Sequence, residues 1–164
     1  MGFQVIDNFL SEKDFNDVRN VIFDMKFPWG YCPSVTTEVS TGPEDFQFVH
    51  VMYQNYTILS EHFQKIQPLI NKLNPNALVR VKVNLTTKNV SNFKFGYHTD
   101  FEGIENLKSA VYYLDTTDGP TFFENGEKVE CIANRLLVFD NEMSHTSSTC
   151  TDQKVRRVIN INFF

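Results

Sequence analysis

The sequence predicts a mainly β protein with N-terminal helices: a sandwich of short strands backed by a helical layer. Three observations point there. The apolar period changes from helical to alternating at Leu78. Sixteen phenylalanines and six tyrosines in 164 residues favour pleated surfaces, on which flat rings pack well. Helical signals come first and short strands follow, an order expected of α+β proteins and helix-backed sandwiches.

Each element has a local cause. Ser11 reads as an N-cap, after which Phe15, Val18, Ile22 and Met25 recur at helical spacing until Pro28 ends the element. Residues 27–45 hold Pro28, Gly30, Pro33, Gly42 and Pro43 and read as loop with one short strand. Leu59, Phe63, Ile66, Ile70 and Leu73 signal a second helix, which Pro68 should kink or restart by removing a backbone donor. In 78–85, Val79, Val81, Val83 and Leu85 share one strand face, with Arg80, Lys82 and Asn84 on the other. The last strand repeats the design, with Arg156, Val158, Asn160 and Asn162 opposite Arg157, Ile159, Ile161 and Phe163. Between them, 109–115, 121–124, 127–132 and 135–140 are short and strand-like, and Asn125-Gly126 predicts a hairpin with a type I′ turn.

The apolar faces of the first and last of these strands should pack on the helices, leaving their polar faces turned inward. Such an interior suits a charged ligand or metal. A sheet with one solvated face would show the same alternation.

Composition narrows the function classes. A length of 164 residues fits one domain that buries ~70% of its unfolded surface. With 41% hydrophobic and 21% charged residues, the chain is of the soluble globular class, not disordered or fibrous. The longest apolar run, 110–114, is far short of the ~20 residues of a membrane span, so no membrane partner is expected. Lys+Arg number 15 against 20 Asp+Glu, for a net charge of −5, which gives nucleic-acid binding no support. Cys32, Cys131 and Cys150 form no CxxC, and the start Met1-Gly2-Phe3-Gln4 has no basic region before an apolar stretch. These features predict a reducing, cytoplasmic setting.

Four histidines are available for chemistry. His50 and His62 lack an acid or cysteine at ligand spacing and read as surface or packing residues. His98-Thr99-Asp100 differs, since positions i and i+2 of an extended chain point to one side and can reach one ion; alternatively, Asp100 caps a turn. His145 follows the strand-like run 135–140 and is either a third ligand or an ordinary loop histidine. Two imidazoles and one carboxylate would occupy one face of Fe(II) and leave the other open. If the polar face is interior, Arg156 is the inward arginine, suited to a carboxylate, while Arg157 reads as a solvated strand end.

Taken together, His98-Thr99-Asp100, the run 110–115, the run 134–140 with His145, and Arg156 to Phe164 resemble the Fe(II)/2-oxoglutarate-dependent dioxygenases, in particular their prolyl 4-hydroxylase-like branch. The opening 3–11 is similar to that family's lead-in to its first helix, and 95–164 is especially similar to versions carried by tailed marine phages. The resemblance implies a double-stranded β-helix (jelly roll) with helices packed on the larger sheet. It implies a single oxygenase domain over 1–164, with 1–77 a helical buttress and variable loop, and 78–164 the jelly-roll strands carrying the site.

The implied metal ligands are His98, Asp100 and His145, around Fe(II). The implied partner of the 2-oxoglutarate C5 carboxylate is Arg156, eleven positions after His145, with Arg157 or Lys154 as alternatives. Tyr113 would hydrogen-bond the same carboxylate, with Tyr112 or plain core packing as alternatives. Where relatives often place another tyrosine, this chain offers Asn84 or Lys82; Asn160 completes the expected co-substrate set. Gly119-Pro120-Thr121 matches a turn that keeps the sheet edge open.

The implied activity is hydroxylation of a substrate C–H, a peptidyl proline, using O2 and coupled to decarboxylation of 2-oxoglutarate to succinate and CO2. Ascorbate is an optional reductant, and the partner a peptide or protein. Competing expectations are a non-catalytic jelly-roll binding module, or an oxygenase of the family acting on a small metabolite or nucleobase. A cupin-type isomerase or metal store expects an HxH pair, and this chain has HxD. Specificity is expected in the loops 29–44 and 88–97, through Trp29, Tyr31 and Tyr97.

Overall fold

A computed structural model describes residues 2–36 and 42–164 of the chain. Strand β1 (Phe3–Ile6) leads into helix α1 (Glu12–Phe23), where Ser11 Oγ accepts from the Asp14 N–H at 3.2 Å and so satisfies one orphan donor of the first turn. The helix stops short of Pro28. Asp24 is extended and its carboxylate accepts from the Lys26 N–H at 2.7 Å, a local turn that competes with further helix. Met25 therefore lies outside the helix and is fully exposed, contrary to its place in the apolar spacing.

Strands β2 (Gly30–Cys32), β3 (Gln47–Gln54) and β4 (Thr57–Ile58) follow. The second helical segment is split as Pro68 requires, into a 3-10 helix (Glu61–Ile66) capped by Ser60 and helix α2 (Gln67–Leu73) with Pro68 in its first turn. Leu59 precedes the cap and is exposed, so it does not belong to the helix's packed face.

The remaining strands are β5 (Leu78–Thr87), β6 (Lys108–Tyr113), β7 (Thr117–Phe123), β8 (Lys128–Cys131), β9 (Leu136–Asp140), β10 (His145–Ser147) and β11 (Val155–Phe163). They form two antiparallel sheets, ordered β1-β9-β6-β11-β5-β3-β2, with β4 on β3, and β10-β7-β8. Residues 93–98 extend the smaller sheet irregularly along β10 through bridges Lys94↔Ser148 and His98↔His145. This is the jelly roll that was expected. Among the described residues no helix is long and apolar enough to cross a membrane.

Strands β1, β2 and β3 correct the picture of 1–77 as a helical buttress, because all three belong to the larger sheet. β1 spans four residues, too few to display a period, and β3 alternates only weakly because one of its faces meets the helices and the other the sandwich interior.

Two apolar cores result. One lies between the larger sheet and the helices, where Val81, Val83, Tyr112, Ile159 and Ile161 join one cluster with Val18, Ile22, Phe63, Ile66 and Leu69. Asn134, at positive φ, ties these layers together: its side chain bonds the Leu10 N–H and C=O at 2.8 and 3.0 Å and accepts from the Tyr112 hydroxyl at 2.6 Å. The second core closes one end of the sandwich with Val111, Tyr113, Leu137, Phe139 and Val158 against Phe123, Val129 and Cys131. Beyond this core the interior is polar, lined by Lys82, Asn84 and Thr86 of β5, Gln47 of β3, Arg156 and Asn160 of β11 and residues of β10.

Two turns differ from expectation. The β7–β8 hairpin exists, but Asn125 is not at positive φ; the Gly126 N–H bonds Phe123 O at 3.1 Å and only Gly126 is left-handed, giving a three-residue loop instead of type I′. Asn125 Oδ1 explains the choice by accepting from the Glu127 N–H at 3.0 Å. Gly119-Pro120-Thr121 lies within β7, where the register skips between Thr117 and Thr121, and is not a turn.

Candidate metal centre

His98 and His145 come from two stretches that meet as an isolated antiparallel bridge, His98 N–H to His145 O at 3.0 Å and His145 N–H to His98 O at 2.9 Å. Paired residues of an antiparallel ladder send side chains to the same side. Asp100, two residues on, joins them. One ligand atom from each of His98, Asp100 and His145 lies within 4.8 Å of the others.

The surroundings fix both rings. His98 Nδ1 lies 3.3 Å from Gly96 O and His145 Nδ1 lies 3.1 Å from Met143 O, in each case the carbonyl two residues upstream. An Nδ1–H donated there leaves Nε2 as the free lone pair, the usual arrangement behind an imidazole ligand. His145 is further held between the rings of His98 and Phe139, each 4.7 Å away. Burial pushes its imidazole below the ordinary value, outweighing the pull of Asp100, so it is neutral near pH 7.

Asp100 is held by three donors. Arg80 Nη2 donates to Oδ1 at 2.7 Å, while Ser109 Oγ and Asn162 Nδ2 donate to Oδ2, each at 2.9 Å. Burial opposes ionisation, but Arg80, then His145 and the Asn162 and Ser109 donors outweigh it and hold the carboxyl well below the usual range. Arg80 is itself braced by Asn162 Oδ1 at 3.0 Å and by the Phe101 ring at 4.7 Å. Asn141 clamps the next peptide, accepting from the Phe101 N–H at 3.2 Å and donating to its carbonyl at 2.6 Å.

From this cluster a narrow cavity of about 40 Å³ runs into the polar half of the sandwich, lined among others by Lys82, Asn84, Thr86, Arg156 and Asn160. Arg156 is buried; Nε donates to Gly119 O at 2.7 Å and Nη2 to Thr121 Oγ1 at 3.3 Å. Gly119 permits this approach, since a Cβ there would stand 3.1 Å from Arg156 Cδ and 2.8 Å from Thr149 O. The buried Tyr113 hydroxyl, pushed up by burial and so kept protonated, donates to Thr121 Oγ1 at 2.8 Å. Asn84 Oδ1, Asn160 Oδ1 and Thr86 Oγ1 are buried with no hydrogen-bond partner, unusual for acceptors in a protein interior.

The alternatives to these positions point elsewhere or are exposed. Arg157 is not a solvated strand end: it faces the helices, bonds Asp115 through Nη1 at 3.1 Å and stacks over Phe23 at 3.7 Å. Alternation along β11 puts it opposite Arg156, and Lys154 is exposed. Tyr112 also points to the helices, packing edge-on against Phe9 and Phe15. His50 and His62 pack on Phe27.

Trp29, Tyr31 and Tyr97 do not line the cavity. Trp29 packs on Phe27, the exposed Tyr31 meets Phe46 and Phe48, and the Tyr97 hydroxyl donates to Phe123 O. The loops' contribution to the wall is Val35, while Gln47 lines it from β3; residues 37–41 lie outside the described residues. Sequence reasoning placed Arg80 and Asn162 on polar faces without a role and missed Ser109 and Asn141, which carry no local signal, since each sits beside charged residues at the end of a strand-like run.

Comparison with solved structures now bears on the fold. The chain superposes over 99% of its length on an oxidoreductase of the 2OG-Fe(II) oxygenase family from Burkholderia pseudomallei (TM-score 0.71, 12% identity, 84% of that chain). It also matches a Trichoplax adhaerens prolyl hydroxylase in complex with a hypoxia inducible factor peptide fragment (TM-score 0.68, 13% identity, 99% and 83% of the two chains). A Pseudomonas putida prolyl-4-hydroxylase is similar too (TM-score 0.64, 16% identity, 99% and 91%). The fold is shared. No protein-family model and no curated protein matches the chain.

The residues present fit an iron and a 2-oxo dicarboxylate. The cluster has two imidazole nitrogen donors and one carboxylate oxygen donor, suited to Fe(II). The cavity beyond it offers the Arg156 guanidinium as a donor to a carboxylate, while the Asn84 and Asn160 acceptors in its wall call for a donor such as bound water.

Proposed function

We propose that this chain is an Fe(II)- and 2-oxoglutarate-dependent dioxygenase that hydroxylates a peptidyl proline. The observation that carries the reading is the convergence of His98, Asp100 and His145 at a cavity whose wall includes the buried Arg156. The peptide substrate is supported by the Trichoplax adhaerens prolyl hydroxylase, which shares the fold and was solved with a peptide fragment.

His98, Asp100 and His145 would hold the iron. When bound, iron with 2-oxoglutarate and O2 supplies oxidative chemistry that yields succinate, CO2 and a hydroxylated C–H. The Gly96 and Met143 carbonyls keep Nε2 of each imidazole free for a metal. Arg80, Ser109 and Asn162 keep Asp100 ionised and stop its carboxylate from rotating. Arg156 would hold the far carboxylate of 2-oxoglutarate, since a guanidinium matches a carboxylate with two parallel donors. Thr121, bonded by both Arg156 and Tyr113, orients that guanidinium. Val35, Val111 and Val158 in the wall limit water around the reacting groups.

The test is incubation with proline-rich peptides, Fe(II) and 2-oxoglutarate, reading succinate and intact peptide mass. Iron-dependent succinate with a gain of one oxygen on a peptide is expected. Succinate without peptide oxidation would remove the prolyl substrate, and no iron-dependent succinate would remove the oxygenase.

A further inference from the structure

We propose that Lys82 is a second co-substrate-binding cation, holding the carboxylate next to the oxo group of a 2-oxo acid. This rests on reading the cavity as a 2-oxo acid site.

The register of β5 and β11 orders the cavity wall. Lys82 faces Asn160. On one side the Arg80–Asn162 pair holds Asp100 through both partners. On the other side come Asn84 opposite Val158 and then Thr86 opposite Arg156. Lys82 therefore stands one same-face step, about 7 Å of strand, from the pair that grips Asp100, and two such steps from Arg156. Its ammonium serves the metal end of the cavity and the Arg156 guanidinium the far end.

Charge makes the same case. Three cations lie on this face. Arg80 is neutralised by Asp100 at 2.7 Å. Arg156 donates to a carbonyl and a hydroxyl, not to a carboxylate. Lys82 has neither an ion pair nor a hydrogen bond among the described residues, and it lines a cavity whose wall also holds the unpartnered Asn84 Oδ1 and Asn160 Oδ1. An ammonium partly withdrawn from water and without an ion-pair partner gains from a ligand that supplies a counter-charge. Two uncompensated cations at opposite ends call for an elongated dianion, and 2-oxoglutarate is one.

The experiment titrates Mn(II)-loaded protein calorimetrically with 2-oxoglutarate and with 2-oxobutyrate, which lacks the far carboxylate. R156M should lose the preference for 2-oxoglutarate and bind 2-oxobutyrate as the parent does. K82M should bind both acids about tenfold to a hundredfold more weakly, the range for losing one charge-assisted hydrogen bond, and K82R should recover much of the loss. K82M removes a partly buried charge with no ion-pair partner, so its fold is not at risk, and its Mn(II) affinity and melting temperature check this independently. Parent binding of both acids with K82M unchanged overturns the role of Lys82 alone. Failure of the Mn(II)-loaded parent to bind either acid overturns that role together with the oxygenase reading.

Discussion

His98 and His145 exchange both of their backbone hydrogen bonds, at 3.0 and 2.9 Å, so main-chain pairing brings the two imidazoles to one side before any side-chain contact is counted. The alignment survives loss of either ring. His145→Ala should abolish turnover and weaken metal binding while costing only about 1–2 kcal/mol of stability, a typical single-site value. Metal titration alongside thermal unfolding checks this; a variant that binds metal like the parent would break the ligand assignment.

Arg80→Gln tests the Asp100 cradle. The Arg80 and Asp100 side chains are 16% and 8% exposed, so removing one partner leaves a buried charge uncompensated. A loss of about 3–5 kcal/mol in urea unfolding is expected. Metal affinity should fall as well, because the carboxylate gains rotational freedom.

Gly119→Ala probes the seat of Arg156. The new Cβ would collide with Thr149 O at 2.8 Å and crowd Arg156 Cδ at 3.1 Å. Overpacking of this kind costs about 1–3 kcal/mol. Because Arg156 must shift, affinity for 2-oxoglutarate should fall more than affinity for Mn(II), and a comparison of the two titrations separates these effects.

Lys82 makes stability depend on pH. Burial first, then the charge of Arg80, lowers its ammonium from 10.5 to about 8, against the weaker opposing pull of Asp100 and Cys32. Below about 8 the lysine is charged in both folded and unfolded states, and the folded state bears the full desolvation cost. Between about 8 and 10.5 only the unfolded state holds the proton, so stability rises with pH across that window. Relative to the parent, Lys82→Met should be more stable by about 3 kcal/mol below pH 8, the linkage value of such a shift, and the gap should close by 10.5. Urea midpoints of both proteins, measured without ligand over this range, give the comparison.

The alternation in β5 and β11 was long enough to separate two faces, and that separation alone put Lys82, Asn84, Arg156 and Asn160 on one wall. Less was legible where a face met two environments or an element was short. Strand β1 hid because its partner β9 lies 130 or more positions away. Spacing suggested that His98 and Asp100 point together, but Ser109 and Asn141 earn no notice until folding brings them to that loop. Arg157 was misjudged as solvated because its partner Asp115 lies on another strand's end, invisible to local pattern.

The apolar plug formed by Tyr113, Phe123, Leu137 and Phe139 seals one end of the jelly roll. Arg156 stands beside this plug, its guanidinium carbon 5.7 Å from the Tyr113 ring centroid, so on the proposed reading a longer co-substrate would press into apolar side chains there instead of into solvent.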